Sequence, residues 1–415
     1  MAEDWGPDRA EPVAVGPPRQ RLSRSERMRA ARNRRRRRLM GVLSLGVLIA
    51  VIVGVVFLGS RMWHGLFGSG GDDFAGSGVS DVVIQVRDGD STTAIGQTLL
   101  DHNVVATVKA FVDAASDNSD MSAIQPGFYK VRTEIPAADA VDRLTDPQSR
   151  VGRLVIPEGR QLDDVRDVKT DAVTEGIYTL ISKATCVDLD GTQRCVSVDE
   201  LKNVAANTPP AELAVPEWAV EPVSAMGDDH RRIEGLIAPG TWNIDPSAGP
   251  EVTLSTLLRA SGSRYAQSGL LDTARVMNMS PYQILTVASL VQRESKPEDF
   301  AKVARVIYNR LNENRTLEFD STVNYPLDRI EVATTDGDRA QNNPWNTYVR
   351  PGLPATPICS PSQPALVAAE QPAAGDWLYF VTIDLQGTTV FTRDYNQHLA
   401  NIELARRNGV LDSAR

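Results

Sequence analysis

The chain is 415 residues long, 42% hydrophobic and 23% charged, which is ordinary globular usage and excludes a wholly disordered or collagen-like protein. At ~100–200 residues per domain, that length allows two or three folded parts. The net charge of −9 averages over unlike regions: residues 1–38 hold twelve Arg against five Asp or Glu, a balance of +7, which leaves −16 for the other 377 residues. Such asymmetry argues against one soluble body in one compartment.

The division falls at residues 39–58, LMGVLSLGVLIAVIVGVVFL, which carry no charge, proline or amide side chain. As a helix the run reaches ~30 Å, the thickness of a bilayer's hydrocarbon core. A core helix of this length would keep a polar face. A cleaved signal peptide would have an apolar region of only ~7–15 residues and end in an A-x-A-like site, whereas Gly59-Ser60-Arg61-Met62-Trp63 follows here. The expectation is an uncleaved single-pass transmembrane helix at 39–59, in the cell membrane. Arg34–Arg38, preceded by Arg24, Arg27, Arg29 and Arg32, place the N-terminus inside and the body outside. Topology and anionic lipid account for the Arg-rich arm, so no nucleic-acid partner is expected. Arg61, Trp63 and Phe67 suit the outer interface.

After the arm (1–38) and the span comes a Gly-rich spacer at 60–80, with six glycines between residues 65 and 78. Folded sequence starts at the strand Val82–Val86, followed by a helical pattern from Asp90 through Leu100 and another from Ala106 to Ala115. A strand at Gly127–Val131 and a helix at Ala137–Leu144 complete a small strand–helix–helix–strand domain spanning 81–150. Arg153–Ile156 reads as a strand, opening a connecting part at 151–279. Within it, residues 183–232 are polar and proline-containing and are expected to be irregular. There, Cys186 and Cys195 bracket Asp190-Gly191, a strong hairpin turn signal. Outside the membrane they are candidates for a disulfide, with Cys359 left unpaired. Three Cys and the four His (His64, His102, His230, His398) show no metal-ligand spacing.

From residue 280 to 405 the signals sharpen, ahead of a short tail at 406–415. Ser280-Pro281-Tyr282-Gln283 is an N-cap, a proline at the first helical position and a capping-box amide. Ile284, Leu285, Ala288 and Val291 then share one helical face, and Lys296-Pro297 ends the helix. Ser295 and Glu298 are expected to cap a second helix through Phe300, Val303, Ile307 and Leu311. Ser360-Pro361-Ser362-Gln363 repeats the start signal before a third. A hairpin follows at Trp377–Ile383 and Thr388–Thr392, so the fold class is α+β. Glu294 falls in the last turn of the Ser280-capped helix, at the negative end of its dipole. That position raises a carboxyl pKa, as a general acid at neutral pH requires.

Residues 285–325, LTVASLVQRESKPEDFAKVARVIYNRLNENRTLEFDSTVNY, closely resemble the catalytic region of the endolytic murein transglycosylase (YceG-like) family. Asn346-Thr347-Tyr348, Gly352-Leu353-Pro354, Thr356-Pro357-Ile358, Leu378–Val381, Ile156–Gly159 and Glu234–Thr241 extend the likeness over roughly residues 80–405. The resemblance implies a membrane anchor ahead of a LysM-like domain at 81–150 and a catalytic core at 280–405. It also implies peptidoglycan glycan strands as substrate, with cell-wall synthases as further partners. A single Glu is the family's acid/base and maps onto Glu294. It would protonate the MurNAc–GlcNAc bond and then accept the proton of the MurNAc 6-hydroxyl, closing a 1,6-anhydro ring and ending the strand. Neither a cofactor nor a metal is implied.

Around Glu294, Asp320, Asn346 and Tyr348 are candidate substrate contacts, with Thr322 and Tyr325 as further ones. Arg293 is a candidate for a peptide-stem carboxylate, and His398 reads as structural. Two departures stand out. Gln292 occupies a position where many relatives carry a second Glu, and Ala238 and Gly240 replace an aromatic and an Asp. Two other readings stay open: a hydrolytic muramidase with Asp320 as second carboxylate, and a non-catalytic glycan-binding scaffold.

Overall fold

The computed structural model describes residues 73–327, 329–330 and 334–410; the expected arm and transmembrane helix lie outside the described residues. Among the described residues no helix is long and apolar enough to cross a membrane.

The first folded part has its own core. Strand β1 (Asp81–Val86) pairs antiparallel with β2 (Gly127–Arg132), in a register set by Ile84 opposite Tyr129. Helices α1 (Thr92–Asp101) and α2 (Val108–Ser116) lie between them in sequence, and each starts where a hydroxyl accepts a backbone N–H: Ser91 from Ala94, Thr107 from Ala110. Helix α3 (Ala137–Thr145) and the edge strand β3 (Arg150–Val151) follow. Alternation on the strands sends Ile84, Val86, Tyr129 and Val131 inward, where they meet Ile95, Leu99, Phe111 and Leu144. The strand–helix–helix–strand order and the following helix expected from sequence are therefore present, with the edge strand β3 added.

Strand β4 (Arg153–Ile156) continues directly from β3 and leads into the larger core. Short strands β5 (Val165–Asp167) and β6 (Val173–Thr174) form a ribbon, followed by helix α4 (Ile177–Ala184). Strands β7 (Val187–Leu189) and β8 (Thr192–Arg194) form the hairpin whose ends are joined by the Cys186–Cys195 disulfide. Its turn places Asp190 and Gly191 at φ 53 and 77, values that suit this pair. The remainder of 183–232 is not irregular, as its composition suggests. Helix α5 (Val198–Asn207) carries a full Ser197/Glu200 capping box, and α6 (Glu217–Ala225) follows Pro216. Both are short and bury few side chains, Leu201 and Ala205 on α5, Ala219 and Val223 on α6. Their apolar periodicity is too thin to read from sequence.

Strand β9 (Gly240–Asn243) returns to pair with β4. Then come α7 (Pro250–Gln267), α8 (Leu270–Met277) and α9 (Pro281–Glu294). Helix α10 (Phe300–Asn312) packs on α9, and α11 (Asp320–Asn324) lies against it too. Strand β10 (Arg329–Ile330) adds in parallel to β5, and α12 (Asp336–Arg339) caps itself with Thr335. Helix α13 (Gln363–Glu370) lies along both α9 and α10. The hairpin β11 (Tyr379–Thr382) and β12 (Thr389–Thr392), then α14 (Tyr395–Arg407), close the chain. Helices make the body and short ribbons edge it, an α+β arrangement.

Two expected caps shift. Ser295 ends α9 rather than starting α10, whose N-cap is Asp299 without a side-chain bond. Ser362, not Ser360, caps α13, because the Ser360 hydroxyl is spent on the Ile237 carbonyl at 2.6 Å.

Candidate active site

Helix α9 delivers Glu294. Its start is fixed by the Ser280/Gln283 capping box with Pro281 in the first turn. Residues 284–291 are buried on every face, so α9 runs through the body instead of along its surface. Three bonds tie it to the strap at 358–362. The Ile358 N–H donates to Ser289 Oγ at 3.0 Å, the Cys359 thiol to the Ser289 carbonyl at 3.5 Å, and the Ser362 N–H to Gln292 Oε1 at 2.9 Å. Gln292 is thus a structural amide holding the strap.

Glu294 emerges half-buried at the end of this rigid helix. Its Oε1 accepts a hydrogen bond from the Ser321 hydroxyl on α11. Burial, which penalises the charged form, lifts its carboxyl to about 7. The Ser321 bond and the Arg293 guanidinium pull it down, while the nearby Asp320 charge pushes it further up.

Asp320 is heavily engaged. Its Oδ1 accepts from the Tyr348 and Thr334 hydroxyls, each at 2.7 Å, and from Arg339 Nε at 3.2 Å. Its Oδ2 accepts from Arg339 Nη2 at 3.1 Å. The Arg339 guanidinium also lies over the Tyr348 ring, 5.2 Å from its centroid. The Tyr348 hydroxyl is pushed well above its ordinary range by burial and by the Asp320 carboxylate it serves.

The other candidate contacts sit differently. Asn346 is fully buried, and its Nδ2 donates to the carbonyls of Asp338, Arg339 and Gln341 at 3.4, 3.0 and 2.7 Å. Thr322 Oγ1 is buried between the Phe319 carbonyl and Thr347 Oγ1. The buried Tyr325 hydroxyl donates to Glu234 Oε2 at 2.9 Å. These side chains, expected at the substrate, have their polar atoms committed inside the protein; they support the site from behind. The structure therefore gathers Glu294, Asp320 and Tyr348, and adds Ser321, Arg339 and Thr334, which sequence reasoning missed. Ser321 stands 27 residues from Glu294, and nothing local marks the pairing.

Next to the strap, a cavity of 280 Å³ opens between Pro157-Glu158, the Ala238–Gly240 loop, Arg264 and Pro361–Gln363. Among the described residues no group of three or more His, Cys, Asp or Glu could hold a metal ion.

A half-buried carboxyl near 7 exchanges its proton readily at neutral pH, as one group serving first as acid and then as base must. Asp320 already accepts four hydrogen bonds, two of them from Arg339. The chain is 26% identical over 320 residues to the endolytic murein transglycosylase of Bacillus subtilis (strain 168), covering 76% of this chain and 82% of that one. It is 24% identical over 343 residues to the endolytic murein transglycosylase of Streptococcus pneumoniae serotype 2, covering 77% of this chain but only 58% of that protein. A crystal structure of a yceG-like protein from Listeria monocytogenes aligns at 22% identity and a TM-score of 0.47, covering 77% of this chain and 98% of the other. The YceG-like family model matches residues 84–404, a span that takes in both cores, Glu294 and its supports: the chain belongs to the YceG-like family.

Proposed function

We propose that the protein is an endolytic lytic transglycosylase that cleaves the MurNAc–GlcNAc β-1,4 bond inside peptidoglycan strands without water. The observation that carries this reading is Glu294: one carboxyl, buried enough to hold its proton near pH 7, beside a second carboxylate already neutralised by Arg339. Protonated Glu294 donates to the glycosidic oxygen as positive charge builds on the anomeric carbon. The resulting carboxylate takes the proton from the MurNAc 6-hydroxyl, whose oxygen closes on that carbon. The nucleophile is part of the substrate, so no water has to be held and no second carboxylate is needed.

A muramidase needs that second group to hold a water, and both Asp320 oxygens are already occupied by hydrogen bonds from Tyr348, Thr334 and Arg339. Digestion of purified peptidoglycan with wild type and Glu294→Gln tests the reading. The variant, unable to donate, is expected to release 1,6-anhydro-MurNAc ends ~10²–10⁴-fold more slowly. Unchanged release, or reducing MurNAc ends from the wild type, would sink it.

The remaining expectations belong to the same proposal. Residues 39–59 anchor the enzyme, supported by the apolar run and the Arg-rich arm before it. Deleting 39–58 is expected to move the protein from the membrane to the soluble fraction on cell fractionation; retention in the membrane pellet would exclude a single anchor. The unit at 81–150 acts as a LysM-like glycan-binding module and synthases act as neighbours, readings that rest on the strand–helix–helix–strand order and on the resemblance.

A further inference from the structure

Glu234 is a second carboxylate with no place in the proton transfers described above. It is 1% exposed. Its Oε2 accepts the Leu162 N–H at 3.0 Å and the Tyr325 hydroxyl at 2.9 Å, and its Oε1 accepts the Gly235 N–H at 3.2 Å. Burying a carboxylate this deeply is costly unless the fold uses the bonds it makes. Here those bonds join the two supports of the Glu294–Ser321 pair.

One arm runs to α11. Tyr325 directly follows that helix, so its hydroxyl anchors the segment that also carries Asp320 and Ser321. Its ring packs on Trp345 at 5.3 Å, one residue before Asn346. The other arm runs to α9. Gly235 holds φ +75, and a Cβ there would come within 2.5 Å of Pro357, so the Glu234 turn is pressed onto the strap that Ser289 and Gln292 fasten to α9. The Tyr265 hydroxyl locks the same turn by donating to the Gly235 carbonyl at 2.8 Å.

We propose that Glu234 is a positioning residue that holds α11 against the end of α9, so that Ser321 stays on the Glu294 carboxyl. The proposal rests on the reading of Glu294 as proton donor. Tyr325 transmits the effect. The titratable groups around Glu234 are Tyr325, Tyr178, Tyr265, Tyr282, Cys359 and Asp163. Glu294 is faced by Ser321, Asp320, Arg293 and Tyr348.

The test uses the full chain with four variants, Glu234→Gln, Tyr325→Phe, Ser321→Ala and Glu294→Gln, assayed on peptidoglycan for kcat, KM and the pH dependence of kcat. A small displacement of a proton donor costs rate more than binding. Glu234→Gln and Tyr325→Phe are therefore each expected to lower kcat at least tenfold with KM within about threefold. Both should move the alkaline limb of the profile in the direction Ser321→Ala moves it. Combining Tyr325→Phe with Ser321→Ala should shift it no further, because both remove one interaction. Folded variants that lose only melting temperature, with kcat and the limb unchanged, would overturn the proposal. Additive limb shifts would overturn it too. Should Glu234→Gln fail to fold, Tyr325→Phe carries the test, since it deletes one hydroxyl and keeps the buried ring. Full turnover by Glu294→Gln would instead refute the underlying catalytic reading; an inactive Glu294→Gln beside unaffected Tyr325→Phe refutes the positioning role alone.

Discussion

Ser321 acts on Glu294 through a single hydroxyl, and its effect has a definite sign. A donor to a carboxylate favours the charged form, so the bond holds the Glu294 pKa down against burial. On the proposed reading Glu294 is the general acid and must be protonated, so activity is expected to fall as pH rises through about 7. In Ser321→Ala the carboxyl keeps its proton to higher pH, and the alkaline limb should move up by roughly one unit, given ~1.5 kcal/mol or more for a hydrogen bond to a charged group. A pH–rate profile that stays in place would show that the hydroxyl does not matter to ionisation. Sequence made the position of Glu294 at a helix end legible, because a capped apolar helix followed by Lys296-Pro297 tells where the helix stops. It misled at Asn346, Thr322 and Tyr325, where a polar residue near a motif looks the same whether it faces substrate or a buried carbonyl. Only burial separates the two, and burial is set by segments far away in the chain.

At the scale of the element, α9 owes its placement to its ends more than to its propensity. Four residues of its interior, Thr286, Val287, Val291 and Ile284, are β-branched and indifferent helix formers; packing on α10 and α13 compensates. The Ser280/Gln283 box satisfies two backbone donors that would otherwise lack partners. Ser280→Ala is expected to cost about 1 kcal/mol, read as an equal fall in unfolding free energy by denaturant titration, with kcat unchanged. A loss of kcat instead would mean the helix slides when its cap is cut. Start signals of this kind were readable at Ser280. At Ser295 and Ser360 the same signal misleads: Ser295 is itself the last-turn cap of α9, its hydroxyl turned back toward Val291 at 3.4 Å, and Ser360 bonds to Ile237 across the core. Helices α5 and α6 escaped notice for a different reason, their short length and few buried positions.

For the whole molecule, the three carboxyls displaced furthest from their ordinary range shape how stability responds to pH. Glu234 and Glu294 are both raised to about 7 from an ordinary 4.5, so the folded state binds their protons more tightly than the unfolded chain. Their contribution is fully present below pH 4.5 and is lost as pH rises through about 7. Asp163 is opposite. Burial pushes its carboxyl up, but His230, Lys202 and Arg231 surround it and the net is a fall to about 2. It stabilises above pH 3.8 and stops doing so as pH drops through about 2. Unfolding free energy should therefore decline from pH 5 to pH 8, and Glu234→Gln, which has no proton to lose, should flatten that slope by on the order of 1–3 kcal/mol. Titrations at several pH values check it; parallel curves for the two proteins would mean Glu234 does not ionise in this range.

The disulfide-closed hairpin has a mechanical consequence. Its turn reaches back to the first core, where Asp81 and Asp190 each accept the other's backbone N–H at 3.0 Å. Lys130 clamps Asp81 at 3.0 Å and the Asp188 carbonyl at 2.6 Å. The N-terminal unit is thus braced at three places: along the chain where β3 runs into β4, at Asn243 of β9, which donates to the Pro126 carbonyl and accepts from Arg150, and laterally by this strut. A single covalent link would leave the unit free to swing about residue 152; contacts spread over separate places oppose that rotation. The Cys186–Cys195 bond closes the base of that strut, so the two strands that carry the Asp190 turn cannot part at their open end.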